Sequence, residues 1–133
     1  MKKISLNLKI ILLVSCLLLV IIISGVLTLY YLHLSANKLE KTVNDASISV
    51  ENNQWESANK YLDDFENSWD RTKLSWSMLL DHYEIDNIDN SFAKAKKYVG
   101  SKDFPSSQAE LQALRQYILH IPKKESFSIE NIL

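Results

Sequence analysis

The sequence predicts an all-α protein, with an N-terminal transmembrane helix followed by a small antiparallel bundle of three or four helices. The chain of 133 residues contains only two glycines and two prolines. Sheet proteins need turn residues about every 8–12 positions, so this scarcity favours a few long helices. Residues 10–32 carry no charged side chain. A helix of that length spans roughly 35 Å, which is enough to cross a hydrocarbon core of about 30 Å.

The distribution of lysines predicts the orientation of this segment. Lys2, Lys3 and Lys9 precede it, whereas only Lys38 and Lys41 lie close on the other side. Because positive charge is retained in the cytoplasm, we expect residues 1–9 to be cytoplasmic, residues 10–32 to cross the membrane and residues 33–133 to form an extracytoplasmic helical domain. The predicted location is a bacterial cell membrane.

Two processing signals compete with a retained anchor. The sequence before Cys16 matches a bacterial lipobox, but an apolar stretch follows Cys16 where a lipoprotein has a polar tether. A small residue at Ala36 fits a signal-peptidase site, yet the apolar run is far longer than the roughly 7–15 residues of a typical signal peptide. We therefore expect an uncleaved signal-anchor, with cleavage of a minority of molecules left open.

Apolar periodicity predicts four helical stretches outside the membrane. The first covers residues 35–50, and we expect a hinge at residues 35–37 because small side chains there pack little. The second begins at Trp55 and has apolar residues at seven-residue intervals, as in a coiled coil, with its end predicted at residues 84–87 and Asp86 as the following N-cap. The heptad positions are Trp55, Leu62, Trp69, Trp76 and Tyr83, with Ala58, Phe65 and Leu79 between them. We interpret the tryptophans as core rather than as a platform for sugars, since they share their stripe with aliphatic residues.

The third and fourth stretches have equally regular apolar faces. The third ends at Gly100, where a helix commonly stops. The fourth opens at Ser107 with a capping-box spacing and is expected to end at Pro122. Its predicted buried residues are Leu111, Leu114, Ile118 and Ile121, and those of the third are Ile85, Ile88, Phe92, Ala95 and Val99. The tail ends in Ile129, Ile132 and Leu133, which we expect to pack on the core or to meet a partner.

Acids and histidines concentrate where the second helix passes to the third. Antiparallel helices would bring the end of the fourth helix to the same place. Two imidazoles and several carboxylates suggest a divalent-cation site or a pH sensor, but no established ligand spacing is present, and caps and a solvated turn explain the residues equally well. We therefore predict no metal and no cofactor. The candidate surface for interaction or sensing is Asp81, His82, Glu84, Asp86, Asp89 and His120.

Net charge and the absence of catalytic motifs argue against two classes of function, nucleic-acid binding and catalysis. The three lysines before the apolar run leave 12 basic and 16 acidic residues to the rest of the chain, a net charge of −4. An acidic domain without a basic stripe argues against nucleic acid as a partner. The phosphate-binding and nucleophile-elbow motifs are absent, and Cys16 is the only cysteine. We therefore expect a protein that is not an enzyme.

Several segments resemble one family of small membrane proteins of Firmicutes, which is named only as domain of unknown function 4363. The resemblance rests on Trp69 and Trp76, on residues 81–89, on the stretch from Leu114 to Ile121 and on the ending at residues 130–133. It implies an anchor followed by a helical domain, and it implies no activity.

Two functions from different classes remain. The favoured one is a membrane-tethered interaction or scaffold module that binds another membrane or envelope protein, with a homo-oligomer left open. The alternative is an extracytoplasmic domain that senses a ligand or a metal through His82 and His120.

Overall fold

The computed structural model describes residues 6–130, and the side chains of residues 7–126. This part of the chain folds into four α-helices with no strand. They are α1 (Leu6–Glu51), α2 (Trp55–Leu79), α3 (His82–Gly100) and α4 (Phe104–Glu130). The connections are two or three residues long, so consecutive helices are antiparallel. Helix α1 packs on α2 and α4, and α3 packs on the same two helices. The predicted all-α fold with an antiparallel bundle is confirmed.

Helix α1 serves both as the apolar segment and as the first helix of the bundle. Within the described residues it is the one helix long and apolar enough to cross a membrane. Its large apolar side chains from Leu8 to Tyr31, apart from the partly buried Leu29, are exposed on the surface of the molecule, so this segment is not a buried core helix. From Leu32 onward one face is buried at every turn, at Leu32, Ala36, Leu39, Val43, Ala46 and Val50. The change from an exposed apolar surface to a buried stripe occurs within one unbroken helix.

The predicted hinge at residues 35–37 is wrong. Ala36 has no exposed surface, and the Trp76 side chain lies over Ser35, with its Nε1 donating a hydrogen bond of 3.0 Å to Ser35 Oγ. Small side chains do not by themselves indicate loose packing. Here they accommodate the large indole of α2, and α1 continues as a helix through these residues.

The heptad pattern of α2 is correct as far as Trp76 and wrong beyond it. Leu62, Trp69 and Trp76 are buried, but Leu79 is 43% exposed and Tyr83 is 73% exposed. Helix α2 ends at Leu79, and Leu80 and Asp81 are extended. The predicted end at residues 84–87 is therefore five to eight residues late, about one and a half to two turns. At Trp76 the helix has already reached the level of Ser35, about one turn from the apolar segment of α1.

The predicted starts of α3 and α4 also need correction. Asp81, not Asp86, precedes α3, although its side chain makes no capping hydrogen bond. Helix α4 begins at Phe104, where Asp103 Oδ1 accepts a hydrogen bond of 3.2 Å from the Ser106 N–H. Ser107 is thus inside the first turns and buried rather than at the cap.

Pro122 does not end α4, which continues to Glu130. A proline inside a helix removes one backbone hydrogen bond, and packing has to compensate for it. Pro122 is buried, as is the neighbouring Ile121, so its ring is packed within the bundle. The ends of the tail, Ile132 and Leu133, and the side chain of Ile129 lie outside the described residues.

The core joins the apolar stripes of all four helices. The predicted buried residues of α3 and α4 are all buried, and Gly100 ends α3 as expected. An aromatic row crosses the centre: Phe92 lies 5.0 Å from Phe65, and the rings of Trp69 and Trp76 meet edge to face at 5.6 Å. Trp69 and Trp76 are 2% and 0% exposed, so both are core residues with no face open to a sugar.

Candidate interaction groove

The end of the bundle nearest the apolar segment of α1 carries an open groove between α3 and α4, which we call the α3–α4 groove. It has a volume of about 570 Å³. Two tyrosines, an imidazole and several polar groups line it, namely Tyr83, Glu84, Asn87, Gln116, Tyr117, Leu119, His120 and Lys123. The antiparallel course of α3 and α4 brings these residues together, since the start of α3 lies beside the last third of α4. The structure therefore places Glu84 and His120 in one groove.

Glu84 forms the wall between this groove and a smaller pocket under the α2–α3 turn. The smaller pocket measures about 350 Å³ and includes Asp81, Lys124 and Glu125. Glu84 is buried and accepts a hydrogen bond of 2.9 Å from Lys124 Nζ. That hydrogen bond, with the negative charge of Glu84, raises the pKa of Lys124. The carboxylate of Glu84 thus already has a cationic partner supplied by α4.

Asp89 lies apart from the groove, in the contact between α2 and α3. Its Oδ1 accepts a hydrogen bond of 2.7 Å from Trp69 Nε1, and its Oδ2 pairs with Lys73 Nζ. A buried indole N–H needs an acceptor, and a carboxylate is a strong one. Asp89 therefore supports the core and is not available as a ligand.

His82 and Asp86 are exposed on the surface of α3 and line neither cavity. The structure thus separates the six predicted residues. Glu84 and His120 share the α3–α4 groove, Asp81 joins Glu84 in the turn pocket, and the other three lie elsewhere. Among the described residues no group of three or more His, Cys, Asp or Glu side chains is arranged to hold a metal ion.

The groove also contains residues that the sequence reasoning did not select. Tyr83 continues the tryptophan heptad in the sequence, which predicts a buried position, and its exposure follows from the earlier end of α2. Tyr117 is 37% exposed and lies off the buried stripe of α4. An aromatic residue outside an otherwise regular apolar stripe is the signal that could have identified it.

The comparison with family models matches residues 26–132 to the domain of unknown function DUF4363. This match covers the end of the apolar segment and the whole bundle. The chain belongs to the DUF4363 family. Comparisons with curated proteins and with solved structures give no match.

Proposed function

We propose that this DUF4363 protein is an extracytoplasmic helical module, held to the membrane by α1, that binds another membrane or envelope protein through the α3–α4 groove. The observation that carries the proposal is the continuity of α1. The same helix provides an exposed apolar segment and a buried face of the bundle. The bundle is thereby attached to the bilayer without a linker, which suits a protein that has to hold a binding surface in place.

The continuity of α1 also supports an uncleaved anchor. Cleavage after Ala36 would remove Leu32, Ser35 and Ala36 from the bundle. Leu32 and Ala36 are fully buried, and Ser35 Oγ accepts the hydrogen bond of the Trp76 indole. Leaving that buried N–H without an acceptor costs about 1–3 kcal/mol, in addition to the lost apolar contacts. The orientation with the N-terminus in the cytoplasm rests on the three lysines before the apolar segment.

The lining of the groove favours a protein partner. Tyrosine is enriched in protein interfaces, where it provides apolar area together with a hydrogen-bonding group, and Tyr83 and Tyr117 are both exposed here. Gln116, Asn87 and Lys123 add polar groups around them. We also propose a binding rather than a catalytic role, because Glu84 and Asp89 are both paired with lysines.

Photocrosslinking in cells tests this proposal. Benzoylphenylalanine at Tyr117 should give one discrete adduct with a second protein, independent of added ligand. Phe104 is a matched control, since it is aromatic, lies on the same helix and is 43% exposed, but it is at the other end of the bundle. An adduct that also loses intensity in a Tyr83→Ala background would assign it to the groove. Equal adducts at both positions, or none at Tyr117, would contradict the proposal. An adduct of twice the mass of the chain would identify a second copy as the partner.

A second function, ligand or metal sensing, is favoured by one observation, the presence of Glu84 and His120 in a single groove. Zinc added to the purified full chain tests it. Sensing requires a rise in melting temperature that is lost in His120→Asn, whereas the interaction module shows no such rise.

A further inference from the structure

The level of the bundle above the membrane follows from the pairing of residues across α1. When two helices pack antiparallel, moving one residue forward along the first corresponds to moving one residue backward along the second, so one known contact sets the level of every other residue. Trp76 contacts Ser35, so the end of α2 at Leu79 lies level with about Leu32 of α1. On the other side Arg115 pairs with Glu40 and Gln108 with Ser47, which places Lys124 level with about Tyr31. The α2–α3 turn and the last third of α4 thus reach the outer end of the apolar segment.

Four of the side chains exposed near this level are apolar or aromatic, among charged and polar ones such as Asp81, His82, Lys123 and Lys124. Met78 is 76% exposed, Leu79 43% and Tyr83 73%, and Leu34 of α1, which lies at a similar level, is 53% exposed. We call these four residues the apolar rim. At the opposite end of the bundle the turns themselves expose polar residues, at Asn52, Asn53, Gln54, Ser101 and Lys102, although Phe104 and Ile48 are partly exposed nearby in sequence.

We propose that the apolar rim rests on the lipid surface of the outer leaflet, so that the bundle is seated on the bilayer instead of standing clear of it. This inference depends on the proposed anchoring by α1. The rim residues of α1 and α2 lie within about three residues of Tyr31, which is roughly 5 Å along the helix, and the side chains of Met78 and Tyr83 can cover that distance. Tyrosine and apolar side chains are favoured in the headgroup region.

Charge does not provide the attraction. Asp81 and Glu84 lie at this end together with Lys123 and Lys124, and Glu84 is paired with Lys124. The contact of the apolar rim with the bilayer therefore depends on the transfer of apolar and aromatic side chains into the headgroup region. We expect it to form with zwitterionic lipid at ordinary ionic strength. A bundle seated in this way also holds the α3–α4 groove within roughly 12 Å of the headgroups, since the groove residues of α4 lie level with α1 residues up to about Lys38.

Depth-dependent quenching of fluorescent labels tests the proposal on the full chain in phosphatidylcholine nanodiscs. In a Cys16→Ser background, single cysteines are introduced at Met78, Leu74 and Asn67, which are exposed positions along α2. Asn67 is the matched control, about 16 Å further from the membrane than Met78. Spin-labelled phosphatidylcholine should quench a label at position 78 at least twofold more than one at position 67, with position 74 between them.

Equal quenching at positions 78 and 67 would overturn the proposal. A label on the native Cys16 separates this result from a failure of the anchor. Strong quenching at Cys16 without a gradient along α2 shows that the chain is anchored and the rim is not seated. Weak quenching at Cys16 shows that the anchoring itself is wrong. Circular dichroism confirms that each labelled variant is folded, and a Met78→Glu, Tyr83→Glu double variant labelled at Leu74 should lose quenching there.

Discussion

Truncation of Trp76 should strongly destabilise the bundle. The side chain has no exposed surface, its ring meets that of Trp69 edge to face at 5.6 Å, and its Nε1 donates to Ser35. Replacing a buried tryptophan by alanine costs about 3–5 kcal/mol, mainly through the cavity that remains. Domains of this size are stable by only about 5–15 kcal/mol, so Trp76→Ala should lose a large part of the total. Ser35 Oγ still donates to the Tyr31 carbonyl oxygen, so the serine adds little to the loss.

Urea unfolding of the full chain in detergent, followed by circular dichroism at 222 nm, measures this loss. Leu74→Ala is the matched control, because Leu74 lies on the same helix and is 68% exposed. Its free energy of unfolding should change by no more than about 0.5 kcal/mol. Trp76→Phe keeps an aromatic ring and loses the hydrogen bond, so a cost of about 1–2 kcal/mol is expected. If Trp76→Ala unfolds at the same urea concentration as Leu74→Ala, the assignment of Trp76 to the core is refuted.

Two further predictions concern charged groups. Asp89→Asn should lower the free energy of unfolding by about 1–2 kcal/mol, because a half-exposed carboxylate that binds an indole N–H and a lysine is replaced by a neutral amide; the control His82→Gln, Asp86→Asn, at exposed positions of the same helix, should change it by no more than about 0.5 kcal/mol. A hydrogen bond to Glu66 raises the pKa of Lys96 above its usual 10.5, so its contribution to stability is fully present below pH 10.5 and is lost as the pH rises through the higher folded-state pKa. Urea titrations between pH 9 and pH 12 should therefore show a smaller alkaline loss in Lys96→Met than in the parent, and equal losses would exclude this contribution.

The buried faces of the helices could be predicted from the sequence because each depends on local periodicity. The stripes of α3 and α4 repeat without interruption, and every residue predicted to be buried in them is buried. The heptad of α2 could not reveal its own end, since Tyr83 fits the seven-residue interval as well as Trp76 does. The end depends on the level that α2 reaches on α1, which is a property of the packed bundle. Ser35 shows the same limit, because a small residue permits either a hinge or a close contact.

The candidate site was only partly predictable for a related reason. Its acids cluster in the sequence, but their partners come from other helices. Asp89 meets Trp69 and Lys73 of α2, and Glu84 meets Lys124 of α4. The packing of the helices determines which carboxylate pairs with a lysine, and no sequence motif predicts that packing. His120 could be placed near Glu84 because the antiparallel order alone requires it.

The central claim is that α1 anchors an intact bundle on the outer side of the membrane. It is tested most directly by measuring whether an external reagent reaches the far end of the bundle and the start of the chain. In a Cys16→Ser background, a cysteine replaces Lys102 at the end of the bundle away from the membrane, and in a second variant a cysteine replaces Lys3. A membrane-impermeant maleimide applied to intact cells should label position 102 on a chain of full-length mass, and position 3 only after lysis. Labelling of position 102 only after lysis, or on a shortened chain, would contradict the account.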